Sequence, residues 1–447
     1  MNQQNNNNQQ VIDLTAEEAA PPRRSIRHAT IIPASHWISI GYSQEDAQLM
    51  ENLQNDMKKY CDGENKTDIE FMGNYTILPH HDMMLPHWKK FANGLSRRAS
   101  VTSLRIGGIY LPAPVLDIIL PPLQSIQNLT KLTLCNTGLG KDIFLKISSF
   151  LENNTSLRSL GLGLDKIDDV SIAASLAGAL INHPNIRAIS LVDCGLGTAS
   201  LAKEILGGCT KLNQITITRD SLGPDVVAVL ADFISSNHPL KILSLTDDQI
   251  TNTETLSLAS ALKKNTNLTK LDLKENNWIT DEGEKALLKA MYDPTSMDSI
   301  VDSNHTCKAY AFNSRDRSAV LNRSLVELGI IDINRGDFTI QQKIRKKVVL
   351  ALCGVDGSLF DLSHFNDLPL RLMPRVLELI KEHTVSRSLS LSLEMEMETI
   401  RDQLENDALS RLFHTLRGWE LPLLFVNLDS PSTNVASGKR KRRKTRR

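Results

Sequence analysis

The chain has 447 residues, of which 41% are hydrophobic and only 5% aromatic, and 51 Lys and Arg balance 51 Asp and Glu. That length is too great for one compact core and suits two or three domains or a long repeat array, and the scarcity of aromatics demands an aliphatic interior. No stretch reaches the ~20 consecutive apolar residues of a membrane span, so integral membrane proteins are excluded and no membrane partner is expected.

Residues 1–35 open with an Asn/Gln run and continue through Ala-Pro-Pro-Arg-Arg, too polar to bury a core; the composition predicts a disordered segment. The polar start is no signal peptide. With six dispersed cysteines and no CxxC pair, it points to a reducing compartment. Residues 36–100 read as an N-terminal helical cap. The spacing of Leu49, Leu53 and Met57 predicts one amphipathic helix between Trp37 and Tyr60. Trp88, Phe91 and Leu95 share a face of a second, Met83–Leu95, and Ile69–Met72 has the pattern of a short strand.

From Val101 a period takes over. The pattern L-x-x-L-x-L begins at Val101, Leu129, Leu157, Ile186, Leu212, Leu240 and Leu268, in steps of 28, 28, 29, 26, 28 and 28 residues. A degraded eighth copy, MDSIVD, begins at Met297. The residue ten places after each start is again mostly apolar: Leu111, Leu139, Ile167, Leu196, Leu222, Ile250, Trp278 and Cys307. At that anchor position Trp278 is expected to pack in the core. This is the leucine-rich repeat signature in its long form. The fourth and sixth residues of each copy lie two apart, so on a strand they face one way, into the interior. The second half of each unit is helical by period. Val170, Ile172, Leu176 and Leu180 form one helical face; Val226, Val227, Leu230, Phe233 and Ile234 form another; Leu258 and Leu262 lie on a third.

A single strand–helix unit cannot bury its own apolar face, whereas stacked units can. Strands stack ~4.8 Å apart and helices ~8–10 Å, so the stack must curve with its strands inside. The predicted fold class is therefore α/β: a leucine-rich repeat solenoid over 101–306, a horseshoe with a parallel inner sheet and outer helices. The ninth residue of each copy (Ile109, Thr137, Asp165, Cys194, Asp220, Asp248, Asn276 and His305) is mostly short and polar. Side chains there are placed to bond the neighbouring turn as a ladder, which gives Cys194 a structural role. Residues 307–428 lose the period and read as a C-terminal helical cap region, with helices expected at 321–330, 340–352, 365–380 and 404–416. Residues 429–447 read as a flexible basic tail.

The 28-residue step and the runs C-N-T-G-L-G from Cys135 and D-C-G-L-G around Cys194 resemble the ribonuclease-inhibitor-like class of leucine-rich repeat proteins. The resemblance covers 100–306 and implies a horseshoe that binds other macromolecules. The flanks DPTSMDSIVDSNHTC and FNDLPLRLMPRVLELI also resemble the ends of leucine-rich repeat proteins common in diatoms. Ran GTPase-activating protein is similar in repeat length and implies an alternative role as a GTPase regulator, but it bears an acidic tail where this chain is basic.

No catalytic constellation emerges. GLGKD at Gly138 lacks the spacing of a phosphate-binding loop, and neither GxSxG nor HExxH occurs. His80, His81, Asp82 and His87 read as a polar helix entry rather than a metal site. The chain is expected to be non-enzymatic, with no cofactor, and to act through a protein partner on the concave face. Positions three, five and seven of each copy point there. The middle copies are small and uncharged, and charge gathers at the ends. The candidate contacts are Arg105, Lys131, Gln214, Lys270, Asp272 and Lys274, with Arg219, Asp247 and Glu275 at the strand exits. The face is nearly devoid of the Tyr, Trp or Arg anchors typical of tight interfaces, so a weak contact with another chain's extended backbone or helix is expected.

The tail carries a separate signal. Lys439, Arg440, Lys441, Arg442, Arg443 and Lys444 form a compact basic cluster, which suits a nuclear import receptor and a nuclear location, and equally a phosphate backbone. Without its last nine residues the chain carries 43 basic against 51 acidic residues. Nucleic acid is therefore expected only at the tail.

Overall fold

A computed structural model describes residues 30–310 and 330–353, apart from 63–65, 74–75, 98–99 and 139. Residues 1–29 of the expected disordered start, the helices at 365–380 and 404–416, most of the helix at 321–330 and the basic tail lie outside the described residues; the last part of that start, 30–35, is ordered, with the Ile32 and Ala34 N–H groups donating to Gln54 Oε1 and Glu51 Oε2. Nine parallel strands form one sheet in strict chain order. They are β1 (Asp68–Met72), β2 (Ser103–Gly107), β3 (Lys131–Cys135), β4 (Ser159–Gly163), β5 (Ala188–Val192), β6 (Gln214–Thr218), β7 (Ile242–Thr246), β8 (Lys270–Asp272) and β9 (Lys308–Tyr310). Strands β2 to β8 each begin at the third residue of their copy, where the repeat pattern puts them.

One helix follows each of these strands: α4 (Ala113–Ser125), α5 (Lys141–Asn153), α6 (Val170–Asn182), α7 (Ala199–Gly208), α8 (Pro224–Ser235), α9 (Asn252–Lys264) and α10 (Asp281–Met291). Each packs on the next along the series. The core lies between the two layers. From the strands it takes the L-x-L pairs, such as Leu132 with Leu134 and Leu243 with Leu245; from the helices it takes Ile147, Leu176, Leu230 and Leu258, all essentially inaccessible. Val170 departs from its expected face. As the first residue of α6 it precedes the turn that meets the sheet, and it is exposed.

The N-terminal segment is mixed rather than purely helical. Short α1 (Ala34–Ser39) holds Trp37, and α2 (Gln44–Asp62) holds Met50, Leu53 and Met57. Strand β1 extends the sheet by one member, paired in register with β2 from Asp68↔Ser103 to Met72↔Gly107. In D-I-E-F-M the alternation puts Ile69 and Phe71 inside. Phe71 meets Phe91 of α3 (Leu85–Ser96) at 5.0 Å, with Trp88 and Tyr60 alongside. The few aromatic side chains are thus concentrated where the solenoid is sealed. His81 serves as a helix entry: its Nδ1 accepts from the Met83 N–H at 3.2 Å. Among the described residues no group of His, Cys, Asp and Glu is arranged to hold a metal, and no helix is long and apolar enough to cross a membrane.

The eighth copy is misplaced by the sequence pattern. Met297–Val301 forms a helix, α11, and the next strand is β9. The repeat resumes at β9, where pairing puts Lys308 in the third position; the N–H of Cys307 donates to Asn304 Oδ1 at 2.6 Å as that of Leu268 donates to Asn265 Oδ1, so this copy is one residue shorter between that bond and its strand. The apolar Met297 and Ile300 imitate the strand spacing, but the Ser296 side chain caps the segment as a helix by accepting from the Ser299 N–H. Two further helices, α12 (Ile330–Arg335) and α13 (Ile340–Cys353), follow. Helix α13 folds back on the solenoid: the fully buried Lys347 donates from Nζ to the carbonyls of Met291 and Asn304 at 2.6 and 2.7 Å.

Candidate functional site on the concave sheet

In-register parallel pairing converts the repeat into rows. The third-position row runs Asp68, Ser103, Lys131, Ser159, Ala188, Gln214, Ile242, Lys270, Lys308. The fifth-position row runs Glu70, Arg105, Thr133, Gly161, Ser190, Thr216, Ser244, Asp272, Tyr310. Residues two apart on a strand share a face, so both rows project from the side of the sheet opposite the core. The middle of this face, from β4 to β7, carries no charged side chain in either row.

The expected contact residues do not form one site. They divide between the two ends of the sheet and its exit edge. At the N-terminal end Arg105 pairs with Glu70 at 3.2 Å, and Lys131 is exposed on the next strand. Gln214 stands alone, exposed, in the neutral middle. At the strand exits Arg219 Nε meets Asp247 Oδ2 at 3.1 Å, an exposed pair worth at most ~1 kcal/mol. At the C-terminal end Lys270 lies 2.8 Å from Asp272, and Lys274 follows on the same face. Asp272 was expected to face solvent; it is only 7% exposed, because Lys270 and the last strand cover it.

Two aromatic side chains escape the sequence reading. Tyr310, on the strand missed by the repeat pattern, has the Nζ atoms of Lys270, Lys274 and Lys308 at 5.7, 5.3 and 5.7 Å from its ring centroid. Trp278, expected in the core, is 65% exposed. The neighbouring Ile279 packs against the core in its place. The K-E-N-N-W-I run therefore slips by one residue, and Trp278 is left on the exit edge. Asn277–Trp278–Ile279 contained this signal: either apolar residue satisfies the anchor, and only packing chooses between them.

The exit edge has a regular backbone device. The eighth residues of copies one to seven, Gly108, Asn136, Leu164, Asp193, Arg219, Asp247 and Glu275, all adopt left-handed φ between 54° and 66°. This turn aims each ninth residue inward. Asp165 Oδ2 accepts from the N–H and hydroxyl of Thr137 at 3.1 and 3.2 Å, and Asp220 Oδ1 accepts from the N–H of Leu196 at 3.0 Å. Asp248 Oδ1 accepts from the N–H of Asp220 at 2.8 Å, and Asn276 Oδ1 from that of Asp248 at 2.9 Å. The expected ladder exists. Cys194 belongs to it: its Sγ donates to the Leu162 carbonyl at 3.4 Å, and burial pushes its thiol pKa up, away from reactivity. These polar groups are structural: they tie each turn to the next.

No family model matches the chain. Among curated proteins it is similar to NACHT, LRR and PYD domains-containing protein 3 of Bos taurus, with 27% identity over 252 residues, 55% of this chain and 24% of that protein. Protein 5 of the same series from Homo sapiens is 28% identical over 201 residues, 44% of this chain and 17% of that protein. Protein 4C from Mus musculus is 30% identical over 200 residues, again 44% of this chain, and 19% of that protein. The chain spans about a quarter or less of the length of the curated relatives it matches. The likeness is consistent with a protein of leucine-rich repeat type and with an interaction or regulatory role carried by repeats. It does not extend to the activity of the whole relatives.

Proposed function

We propose that the chain is a non-enzymatic scaffold that captures a protein partner on the concave face of its leucine-rich repeat solenoid. The observation that carries this reading is the nine-stranded sheet. Its outward rows are small and neutral in the middle, and so open to another chain's backbone, while charged and aromatic side chains that can anchor it stand at the ends. The relatives' repeat regions support an interaction role of this general kind, and the 28-residue step suits the ribonuclease-inhibitor-like subclass. The test is affinity capture with the full chain and with Lys270→Glu/Lys274→Glu. Loss of the same captured proteins from the double variant supports the reading. An unchanged set in this variant and in Arg105→Glu/Lys131→Glu sinks it.

The nuclear address is a second part of the proposal and rests on Lys439–Lys444 alone. A run of six cations with no acid suits the acidic grooves of import receptors. A fluorescent fusion lacking 439–447 is expected to lose nuclear enrichment; retention would refute the address. A tail-dependent nucleic-acid affinity that falls steeply with salt would assign the tail to a phosphate backbone instead. The GTPase-regulator alternative is decided by one assay, stimulation of GTP hydrolysis on a small-GTPase panel, and the basic tail speaks against it.

A further inference from the structure

We propose that the entry edge of the solenoid, where the outer helices return to the sheet, is a docking site for a short acidic segment of a partner protein, held by Arg158, Arg187, Lys211 and Lys241. This surface borders the concave face and does not depend on the reading of that face given above.

Four consecutive loops lead from a helix into a strand: 154–158 into β4, 183–187 into β5, 209–213 into β6 and 236–241 into β7. Each contains one Lys or Arg, in order Arg158, Arg187, Lys211 and Lys241, and none contains a carboxylate. All four residues are exposed. Backbone bonds align the row. The Arg158 carbonyl accepts from the Arg187 N–H at 2.9 Å, that of Arg187 from Asn213 at 2.8 Å, and that of Asn213 from Lys241 at 2.8 Å. The side-chain partners are neutral. Arg187 donates to the Pro184 and Ile186 carbonyls at 3.2 and 2.7 Å, Lys211 to that of Ile181 at 2.8 Å, and Lys241 to Asn267 Oδ1 at 3.4 Å. These bonds orient the charges without cancelling them. Among the described residues none of the four pairs with a carboxylate.

The opposite edge of the same repeats differs. Its loops, 164–169, 193–198, 219–223 and 247–251, hold seven aspartates against two cations. There the charge is already used: Asp165, Asp220 and Asp248 are buried in the ladder, and Asp169, Asp193 and Asp247 pair with Lys141, Lys166 and Arg219. Nor do the entry cations simply complement helix ends. That effect fades within the last turn, and α5 to α8 have no basic residue there.

The spacing fixes the kind of anion. Successive repeats are ~4.8 Å apart at the strands and ~8–10 Å apart at the helices. Alternate side chains of an extended peptide, ~6.6 Å apart, fall within that range. Four cations therefore match carboxylates at every second position of about seven residues. Glu152 and Asp232, in the last turns of α5 and α8, are the acids beside the row, and the exposed Lys131 and Lys264 that flank it offset them. A nucleic acid fits less well. The row is short of the ~6–10 phosphate contacts of a typical nucleic-acid binder, and the four loops contain no Phe, Tyr or Trp on which a base could stack.

The test uses the full-length chain with Lys439–Lys444 replaced by glutamines, so that the tail does not bind the probe. The probe is a fluorescein-labelled peptide of alternating Glu and Ser, eight residues long, read by fluorescence polarisation. Saturable binding that weakens at least ~10-fold in Arg158→Gln/Arg187→Gln/Lys211→Gln/Lys241→Gln, as the loss of four exposed ion pairs implies, supports the proposal. Arg158→Gln/Lys241→Gln leaves the bonds to the loop carbonyls intact. It should weaken binding at least ~3-fold with unchanged thermal melting, which keeps the test decisive if the quadruple variant is less stable. Equal binding by this double variant and wild type overturns the proposal. Tighter binding of a thymidine oligonucleotide that depends on the same four residues also overturns it, assigning the edge to nucleic acid. So does concentration-dependent sedimentation abolished by the quadruple variant, which would assign the edge to a second copy of the chain.

Discussion

Asp220 and Asp248 occupy the same position in successive repeats, and the backbone N–H of Asp220 donates to the Asp248 carboxylate at 2.8 Å. Both side chains are buried, and the Oδ2 atom of each has no hydrogen-bond partner. Burial, with the Asp220 charge adding to it, raises the Asp248 pKa from 3.8 to about 8. Burial also raises Asp220. One turn further along, Asn276 solves the same problem differently: its amide accepts from the Asp248 N–H and donates to the carbonyls of Leu245 and Leu273 at 2.7 and 2.8 Å.

The Asp248 shift has a definite sign. The folded state holds a proton that the unfolded state releases above 3.8, so stability falls as pH rises from about 4 to about 8 and levels off beyond. Asp248→Asn is expected to remove most of that slope and to raise the melting temperature at pH 8.5 while changing little at pH 5. Equal slopes for variant and wild type between pH 5 and 8 would refute it.

Asn265 links two repeats through one side chain. Its Oδ1 accepts from Asn267 and Leu268 N–H groups at 2.9 and 2.6 Å, and its Nδ2 donates to the Ile234 carbonyl at 2.7 Å. Asn154 and Asn304 repeat the acceptor half, as does His183 through Nδ1. Asn265→Ala strands these buried backbone groups and should cost ~2–4 kcal/mol in urea unfolding. A loss below ~1 kcal/mol would show that water replaces the amide.

Leu164 holds φ at 57° with its side chain 41% exposed. A Cβ in that region costs ~1–2 kcal/mol, which glycine avoids at a smaller cost in unfolded-chain entropy. Leu164→Gly should therefore stabilise by ~0.5–1 kcal/mol, whereas Leu164→Ala, which keeps the Cβ, should not. Destabilisation by the glycine would mean that the exposed leucine packs more than it strains.

Lys347 is sealed under α13, where burial, with Lys343 adding to it, lowers its pKa from 10.5 to about 7. The unfolded state binds the extra proton between those values, so this group destabilises fully below pH 7 and ceases to do so as pH rises towards 10.5. The stability of wild type relative to Lys347→Met should therefore increase from pH 7 to pH 10 in chemical denaturation. A constant difference would show that Lys347 stays charged in the fold.

The strand starts and most of the inward faces were legible because a solenoid repeats one local solution, and a spacing of four apolar positions is enough to mark it. The polar ladder was legible for the same reason. What escaped lies at the ends, where the period breaks. At the first end Ile69–Met72 announced a strand, but not that β1 extends the repeat sheet in register with β2. β9 uses Cys307 and Ala309 in place of leucines, and Met297–Ile300 mimics it nearby. Trp278 and Ile279 compete for one anchor, and the ten-residue spacing picks the wrong one. The concave site suffered most from this: its aromatic anchor, Tyr310, sits on the strand that the pattern misplaced.

Nine strands in single file have a consequence for how the protein comes apart. In the described residues, helices and strands pack on their immediate neighbours in the series, so cooperativity passes only from one interface to the next, as in a one-dimensional chain. The two ends are not equivalent. Aromatic packing around Phe71 closes one, where burial opposes the charged form of His87, whereas the other is closed over Lys347 and His305, whose pKa values burial lowers by larger amounts, to about 7 and about 4. Mild acid therefore selects the direction of fraying. Amide exchange would spread inward from α13 while β1 to β3 stay protected, and the strand that carries Tyr310 would be the first part of the concave sheet to be lost.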